Sequence, residues 1–422
     1  MTKEFEYLMH LLAASAKGAP ARPPEDEVSW ERIFSLAEEQ QIVPLIASVV
    51  KKHPSLGCPR QLAAEKRAAA FTAVLTDCAR RGSAVALLEE MEHAGMPAFV
   101  VKGMAAAANY AAPENRISGD MDICIDPDQE EPVCEFLRRH GCVMTPRWEN
   151  GHHAAARHPE LGLIEVHVRL YDELVEDIWF RKVDPALLIR EPRQKIVTDN
   201  GAYDTLGPTD HLIFMTLHMI KHFISCGMSL RMMMDVALQI VKHRAELDMD
   251  RFWLVVDTLN YRELVNSILW AMVRCCDFHS GDFPGIGSCQ TDHVTGILED
   301  VETGGWLGMN DAAARRQSGY VYNRHLMLKQ RSKWQYWLYM LQWQHSFKLS
   351  TLFPGKKRLA QDYPWVLKRP WLIPAAWVHR IIFKGSAALR KEKLTSRIIL
   401  DENDVNRESA KRLDLFRQLG ML

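Results

Sequence analysis

The apolar period of this chain changes near Gly95, and that change limits the fold more than any other feature. Up to about residue 96, apolar side chains recur at three- and four-residue spacings, in WERIFSLAEEQQIVPLIASVVKK and QLAAEKRAAAFTAVLTDCARRGSAVALLEEMEHAG. This pattern predicts helices, the longest from about Pro59 to His93, with Gly95 as its stop. Beyond it, PAFVVKG and DMDICID are short β-branched or alternating runs bounded by Gly and Pro, the pattern of strands. MAAAANYAA reads as a helix between them and PDQEEPVCEFLRRHG as another, with extended segments near GCVMTPR, HHAAARH and LGLIEVHVRL. From Pro208 the helical period returns and runs to about residue 278, opening on a Pro, Thr, Asp cap signal. The expected class is therefore α+β: a helical region over 1–96, an α/β core over 97–205 and a second helical region over 206–278. A loop-rich linker is expected over 279–322, where GDFPGIGS and ETGGWLG lie, and then a C-terminal region over 323–422.

Composition narrows the class further. With 422 residues, 47% apolar and 25% charged, the chain has ample core, which excludes disordered and fibrous proteins. No apolar run reaches the roughly 18 residues of a spanning helix, and Glu4 and Glu6 stand where a signal peptide is basic. A cytoplasmic protein is expected. Nine cysteines without a CxxC pair suggest reduced thiols rather than a disulfide framework or a zinc cage. The net charge of −1 hides an asymmetry: between Arg324 and Arg397 sixteen Lys or Arg face two acids, so this segment is +14 and the remainder −15. Six of the twelve tryptophans lie in the same segment. Such a region either meets an anionic partner or docks on its own acidic body.

The chemistry-bearing candidates are carboxylates. In GDMDI, Gly119 to Ile123, strand geometry puts Asp120 and Asp122 on one face and Met121 and Ile123 on the other. In LIEVHV the same alternation sets Glu165 beside His167, opposite Ile164, Val166 and Val168. Side-by-side acids repel, and a hard divalent cation held by oxygen ligands relieves them. Asp120, Asp122 and Glu165 on adjacent strands make a site for Mg²⁺ or Mn²⁺, ions that align a triphosphate and stabilise departing pyrophosphate. Upstream, VVKGMAAAANY places Lys102 and Gly103 between a strand and a helix, where backbone N–H groups and a lysine can hold phosphate. Arg116 is a further phosphate candidate, since a guanidinium grips phosphate oxygens in pairs.

The stretch AGMPAFVVKGMAAAANYAAPENRISGDMDICIDPDQEEPVCEFLRRHGC resembles the uncharacterised nucleotidyltransferase family of the DNA polymerase β-like superfamily, whose members read KG, an alanine-rich helix ending in Tyr, then R..GD.D. IEVHVRL, HLIFMTLHMIKH and LRMMMDVAL resemble later family motifs, and LFPGKKRLAQDY and RPWLIPAAWVHR its C-terminal region. The likeness runs from about residue 30 to 385. It implies a small mixed sheet of the polymerase β-like type flanked by helical regions. It also implies transfer of a nucleoside monophosphate from an NTP to an acceptor, with release of pyrophosphate. Asp120, Asp122 and Glu165 match the metal-binding carboxylates, with Glu165 nearest the attacking hydroxyl as base. Lys102 and Gly103 match the family's nucleotide-phosphate turn, and Arg116, Gly119, His218 and His222 are further candidate nucleotide-binding positions. The chain departs from the wider superfamily at the phosphate turn: Gly103 is followed by Met104, where a Gly-Ser pair is usual, and stands seventeen residues before Asp120. The acceptor is a small molecule, peptide or protein, with tRNA in a toxin–antitoxin setting as an alternative and nucleic acid less favoured. A non-catalytic nucleotide-binding regulator is the rival class.

His211, His218 and His222 form one stripe on the Pro208 helix, and His218 with His222 has metal-pair spacing. The stripe suits metal binding, polar packing against the sheet, or contact with substrate. Asp235, four residues after Arg231, is expected to pair with it within the helix. His152, His153 and His158 precede the Glu165 strand, His153 within reach of the metal site. In the tail, KWQYWLYMLQWQHSFKL reads as a buried helix, with GKKR at 355–358 and LKR at 367–369 as basic clusters.

Overall fold

The computed structural model describes residues 1–145, 153–170, 183–329, 359, 363, 365–379 and 402–422. The chain divides into two compact units, Met1–Arg316 with Arg412–Leu422, and Gln317–Lys411.

The first unit opens with four helices: α1 (Lys3–Lys17), α2 (Trp30–Glu39), α3 (Val43–Lys52) and α4 (Arg60–His93). Local sequence sets their ends. The Thr2 and Ser29 hydroxyls accept from the Phe5 and Arg32 amides, and Gly18 closes α1 in the left-handed region, where a side chain is strained. The expected stop of α4 is present. Gly95 takes a positive φ, and the Met96 amide reaches back to the Met91 carbonyl at 2.9 Å.

Seven strands form one mixed sheet in the order β3-β4-β5-β2-β1-β7-β6: β1 (Phe99–Val101), β2 (Asp120–Cys124), β3 (Val143–Thr145), β4 (His153–His158), β5 (Gly162–His167), β6 (Gln194–Thr198) and β7 (Gly201–Thr205). Strand β2 runs parallel to β5 and antiparallel to β1, and β1 runs parallel to β7. One face is apolar: Met121, Ile123, Ile164 and Val166 pack with Val85, Leu88 and Met91 of α4 and with Val133 and Leu137 of α6 (Glu130–Arg139). The register of β2 on β5 sets Asp122 opposite Glu165 and Cys124 opposite His167. Alternation thus sends every apolar residue of DMDI and IEV to the core and every polar one to the opposite face.

Helices α7 (Pro208–Ser225), α8 (Leu230–Lys242), α9 (Met249–Thr258) and α10 (Arg262–Cys275) follow, as the returning period predicts. The cap of α7 departs from expectation. Gly207 occupies the cap position without a side-chain bond, and Glu191 accepts instead from the Thr209 and Asp210 amides at 2.8 and 3.3 Å. Asp210 is drawn elsewhere, to the Arg190 and Glu191 amides and to buried Arg251. The linker expected over 279–322 is largely helical: α11 spans Thr291–Gly304 and α12 Ala312–Lys329. Val294, Ile297, Leu298 and Val301 form a buried stripe on α11 that outweighs its two glycines.

In the second unit, Leu359, Val366 and Ala376 make a small core with Tyr363, Ile373 and Trp377 against it. Of the tryptophans described in this unit, Trp377 packs against that core, whereas Trp371 is 72% exposed and Trp365 40%. Trp371 lies in a three-residue turn, Pro370–Leu372. The segments 333–349 and 355–358 lie outside the described residues, as do His152 and the side chain of His153. No helix among the described residues is long and apolar enough to cross a membrane.

Candidate active site

The polar face of β2 and β5 holds a compact charged cluster. Donor atoms of Asp122, Glu165 and His167 all lie within 4.8 Å of one another. His167 Nε2 stands 2.9 Å from Asp122 Oδ1 and 3.5 Å from Glu165 Oε2. Lys102 Nζ approaches Asp122 Oδ1 at 2.7 Å. Asp122 is 2% exposed, the Lys102 side chain 16% and Glu165 23%, so the cluster opens towards Glu165. Asp120, one alternate position earlier on β2 and half-buried, stands beside Leu163 in register rather than in the tight trio.

Electrostatics separate the two aspartates. Burial works against the charge on Asp122, but the Lys102 ammonium and the His167 hydrogen bond outweigh it and hold the carboxyl well below its usual range. Asp120 is shifted the other way, by burial and then by the Asp122 charge. Burial disfavours charged Lys102 and His167, yet Asp122 beside each raises both above their ordinary values.

The donor set fits a hard divalent cation. Two carboxylates, Asp122 and Glu165, meet the His167 imidazole, with Asp120 on the same face of β2, and the Lys102 ammonium already stands where positive charge is needed.

A model of the uncharacterised nucleotidyltransferase family matches residues 26–277, which takes in α2 through α10 and the whole sheet. The chain belongs to this family. Similar solved structures include an antigenic nucleotidyltransferase-like protein from Paracoccidioides brasiliensis, at 15% identity and a TM-score of 0.29, over 45% of this chain and 91% of that one. A tRNA nucleotidyltransferase complexed with a primer tRNA and an incoming ATP analogue aligns at 12% identity and a TM-score of 0.21, over 74% and 99% of the two chains. A tRNA-processing enzyme in an apo form aligns at 14% and 0.22, over 80% and 96%. No curated protein matches the chain.

In this nucleotidyltransferase the turn before the site is built by close approach. Lys102 has φ +56°, an uncommon conformation for a side-chain-bearing residue, and it aims the ammonium back over β2. Gly103 begins α5 (Gly103–Ala107), and a Cβ there would stand 2.7 Å from Ser118 Oγ. Arg116 is not free for a substrate: it is buried and bidentate on Asp235, Nε to Oδ1 at 3.2 Å and Nη2 to Oδ2 at 2.5 Å. Tyr110 donates to the same carboxylate at 2.8 Å. The expected Arg231–Asp235 pairing is displaced: Arg231 donates to the Ile117 carbonyl at 3.0 Å, because the loop ending in Arg116 packs over α8 and takes the carboxylate first. Gly119 has open space around its Cα, and its carbonyl accepts from Arg80 at 3.2 Å.

His218 and His222 of α7 lie close enough for the Lys102 charge to act on both. Burial is the larger cause, and it holds His218 well down and His222 at about 4, so the stripe presents neutral imidazoles to the cluster. Their rings meet edge to face at 4.4 Å, and His222 Nδ1 lies 3.1 Å from Cys226 Sγ. His211 points elsewhere, buried near Asp235 and His243 and pushed down to about 4 by burial. His158 caps the turn into β5, accepting from the Glu160 and Leu161 amides.

Two residues that build the candidate site escaped the sequence reading. His167 was placed on the right face but given no role, although it contacts both Asp122 and Glu165. Asp77 was invisible inside α4. Buried there, it accepts from the Ser118 amide at 3.1 Å, from Arg81 Nε at 2.7 Å and from Arg80. Arg81 in turn donates to the Pro113 and Arg116 carbonyls. The DCARR segment of α4 thereby clamps the loop that delivers Asp120 and Asp122. The one available signal was an acid and two arginines inside a helix otherwise rich in alanine.

Proposed function

We propose that this nucleotidyltransferase moves a nucleoside monophosphate from an NTP to an acceptor hydroxyl or phosphate, using a divalent cation held by Asp120, Asp122 and Glu165. The observation that carries the reading is the convergence of Asp122, Glu165, His167 and Lys102 on the polar face of two parallel strands. Mg²⁺ or Mn²⁺ bound there supplies positive charge to the triphosphate and to the departing pyrophosphate. Lys102, now paired with Asp122, would be available to the phosphates with a cation bound to the carboxylates. His167 keeps the Asp122 carboxylate oriented. Glu165, the most open of the trio, accepts the proton of the attacking acceptor oxygen as that oxygen bonds to the α-phosphorus and the bond to pyrophosphate breaks. The neutral His218 and His222 line the approach to nucleotide. Arg116 and Asp235 fix the loop behind Asp120 rather than touch phosphate.

The acceptor favoured is a small molecule, peptide or protein, because the +14 segment is balanced by −15 on the rest of the chain. The Lys102–Asp122 ion pair supports a second reading, a regulator that binds nucleotide without turnover, since it neutralises the aspartate with no metal. Incubation with each α-labelled NTP, Mg²⁺ and cell extract separates them. Pyrophosphate release and label on nuclease-resistant material, both lost in Asp122→Asn of unchanged circular dichroism, support transfer. Label only on nuclease-sensitive material assigns a nucleic-acid acceptor, and NTP binding without pyrophosphate assigns the regulator.

A further inference from the structure

A second set of metal-ligand side chains lies among the helices that follow the sheet. Glu263 is in the first turn of α10, His293 in the first turn of α11, and Cys289 in the loop between them. Their donor atoms all lie within 4.8 Å of one another. His293 Nδ1 is 2.6 Å from Glu263 Oε1, and Cys289 Sγ is 3.7 Å from the same oxygen. Ser267 Oγ lies 3.1 Å from the sulfur, and the thiol also donates to the Gln290 carbonyl at 3.4 Å. His293 is buried, while Cys289 and Glu263 are half-buried, so the cluster is walled by protein yet reachable.

We infer that Glu263, Cys289 and His293 bind a zinc-class transition metal ion, with a fourth position left to water. The donor types argue for it: thiolate and imidazole select such ions, whereas hard Mg²⁺ prefers carboxylate oxygens such as those of Asp122 and Glu165 on the sheet. Spacing argues for it too. Around a tetrahedral ion with bonds of about 2.0 to 2.3 Å, ligand atoms stand about 3.3 to 3.8 Å apart. The Cys289–Glu263 separation already has that value, and the His293–Glu263 contact opens by about 1 Å when the metal replaces their hydrogen bond. Cys289 and His293 are separated by three residues, the second of the pair on a rigid helix end, so local chain geometry holds two of the three ligands. On binding, the thiol proton passes to water and Cys289 coordinates as thiolate. The ion then ties the start of α10 to the start of α11 and closes the 276–290 loop. The inference stands independently of the nucleotidyl-transfer reading, because none of the three residues belongs to the carboxylate face.

Titration of the metal-free, reduced protein with Co²⁺ tests it. The expected result is one equivalent bound with a cobalt–thiolate charge-transfer band, which Zn²⁺ abolishes. Cys289→Ser is expected to lose the band, and Asp122→Asn to keep it. Glu263→Gln and His293→Asn are expected to keep the band with affinity reduced about tenfold or more, since each loses one of three protein ligands. These two variants decide the matter if the serine variant does not fold. No thiolate band in the wild type, a band unchanged in Cys289→Ser, or unchanged affinity in both other variants overturns the inference.

Discussion

Replacing Lys102 by Met probes whether its ammonium stands in for a cation. Methionine keeps much of the unbranched stem and removes the charge, so packing against Gly103 and β2 changes little. Lys102 Nζ lies 2.7 Å from an Asp122 carboxylate that is 2% exposed. Breaking a buried ion pair by removing one partner costs about 3 to 5 kcal/mol. The lower end applies, because His167 still holds the same oxygen at 2.9 Å. At about 2 °C per kcal/mol, the small shift expected of a large unit, the metal-free variant melts about 6 °C below the wild type. With saturating Mg²⁺ the cation supplies the missing charge, and the deficit shrinks to about 1 kcal/mol or less. Thermal melts of both proteins with chelator and with Mg²⁺ measure the difference. A variant as stable as wild type in chelator, or equally destabilised in both buffers, refutes the idea that ammonium and metal occupy the same electrostatic role.

Asp77→Ala, remote from any substrate, is expected to cost about 3 kcal/mol in denaturant unfolding, because the buried Ser118 amide and two arginines lose their acceptor. Nucleotidyl transfer should fall with it, and Asp77→Asn, which still accepts from Ser118, should recover part of both. Gly103→Ala should cost about 1 to 3 kcal/mol by overpacking against Ser118, and Ser118→Ala should relieve much of that in the double variant. Asp300 gives a pH prediction. Burial opposes its charge, but Arg412 and then Arg315 outweigh burial and lower its pKa in the folded state. The stability this contributes is complete above the unfolded value of about 3.9 and is lost as pH falls through the lower folded value. Acid unfolding followed by circular dichroism should show it, and Asp300→Asn, destabilised throughout, should lose that part of the acid dependence.

Periodicity alone determined the helical start, the stop of α4 at Gly95, the β2 and β5 strands and the face on which Asp120, Asp122 and Glu165 stand. Those features are local: a period of 2 or 3.6 and a glycine in a left-handed turn are written within a few residues. The β6–β7 hairpin is legible in kind, since Asp199 and Asn200 make a turn between two short runs. Its parallel pairing with β1, a hundred residues away, was not legible, because only the fold chooses a strand's neighbour. The same holds for the pairings of buried charge between elements. Arg116 took Asp235 from α8, Glu191 capped α7 in place of Asp210, and Asp77 reached from α4 to the loop before β2. A buried charge takes whichever partner the packing brings within 3 Å, and that distance is a property of the assembled elements. Strand alternation named the carboxylates. Tertiary structure decided that Lys102 and His167 hold Asp122, and that Glu263, Cys289 and His293 meet at all.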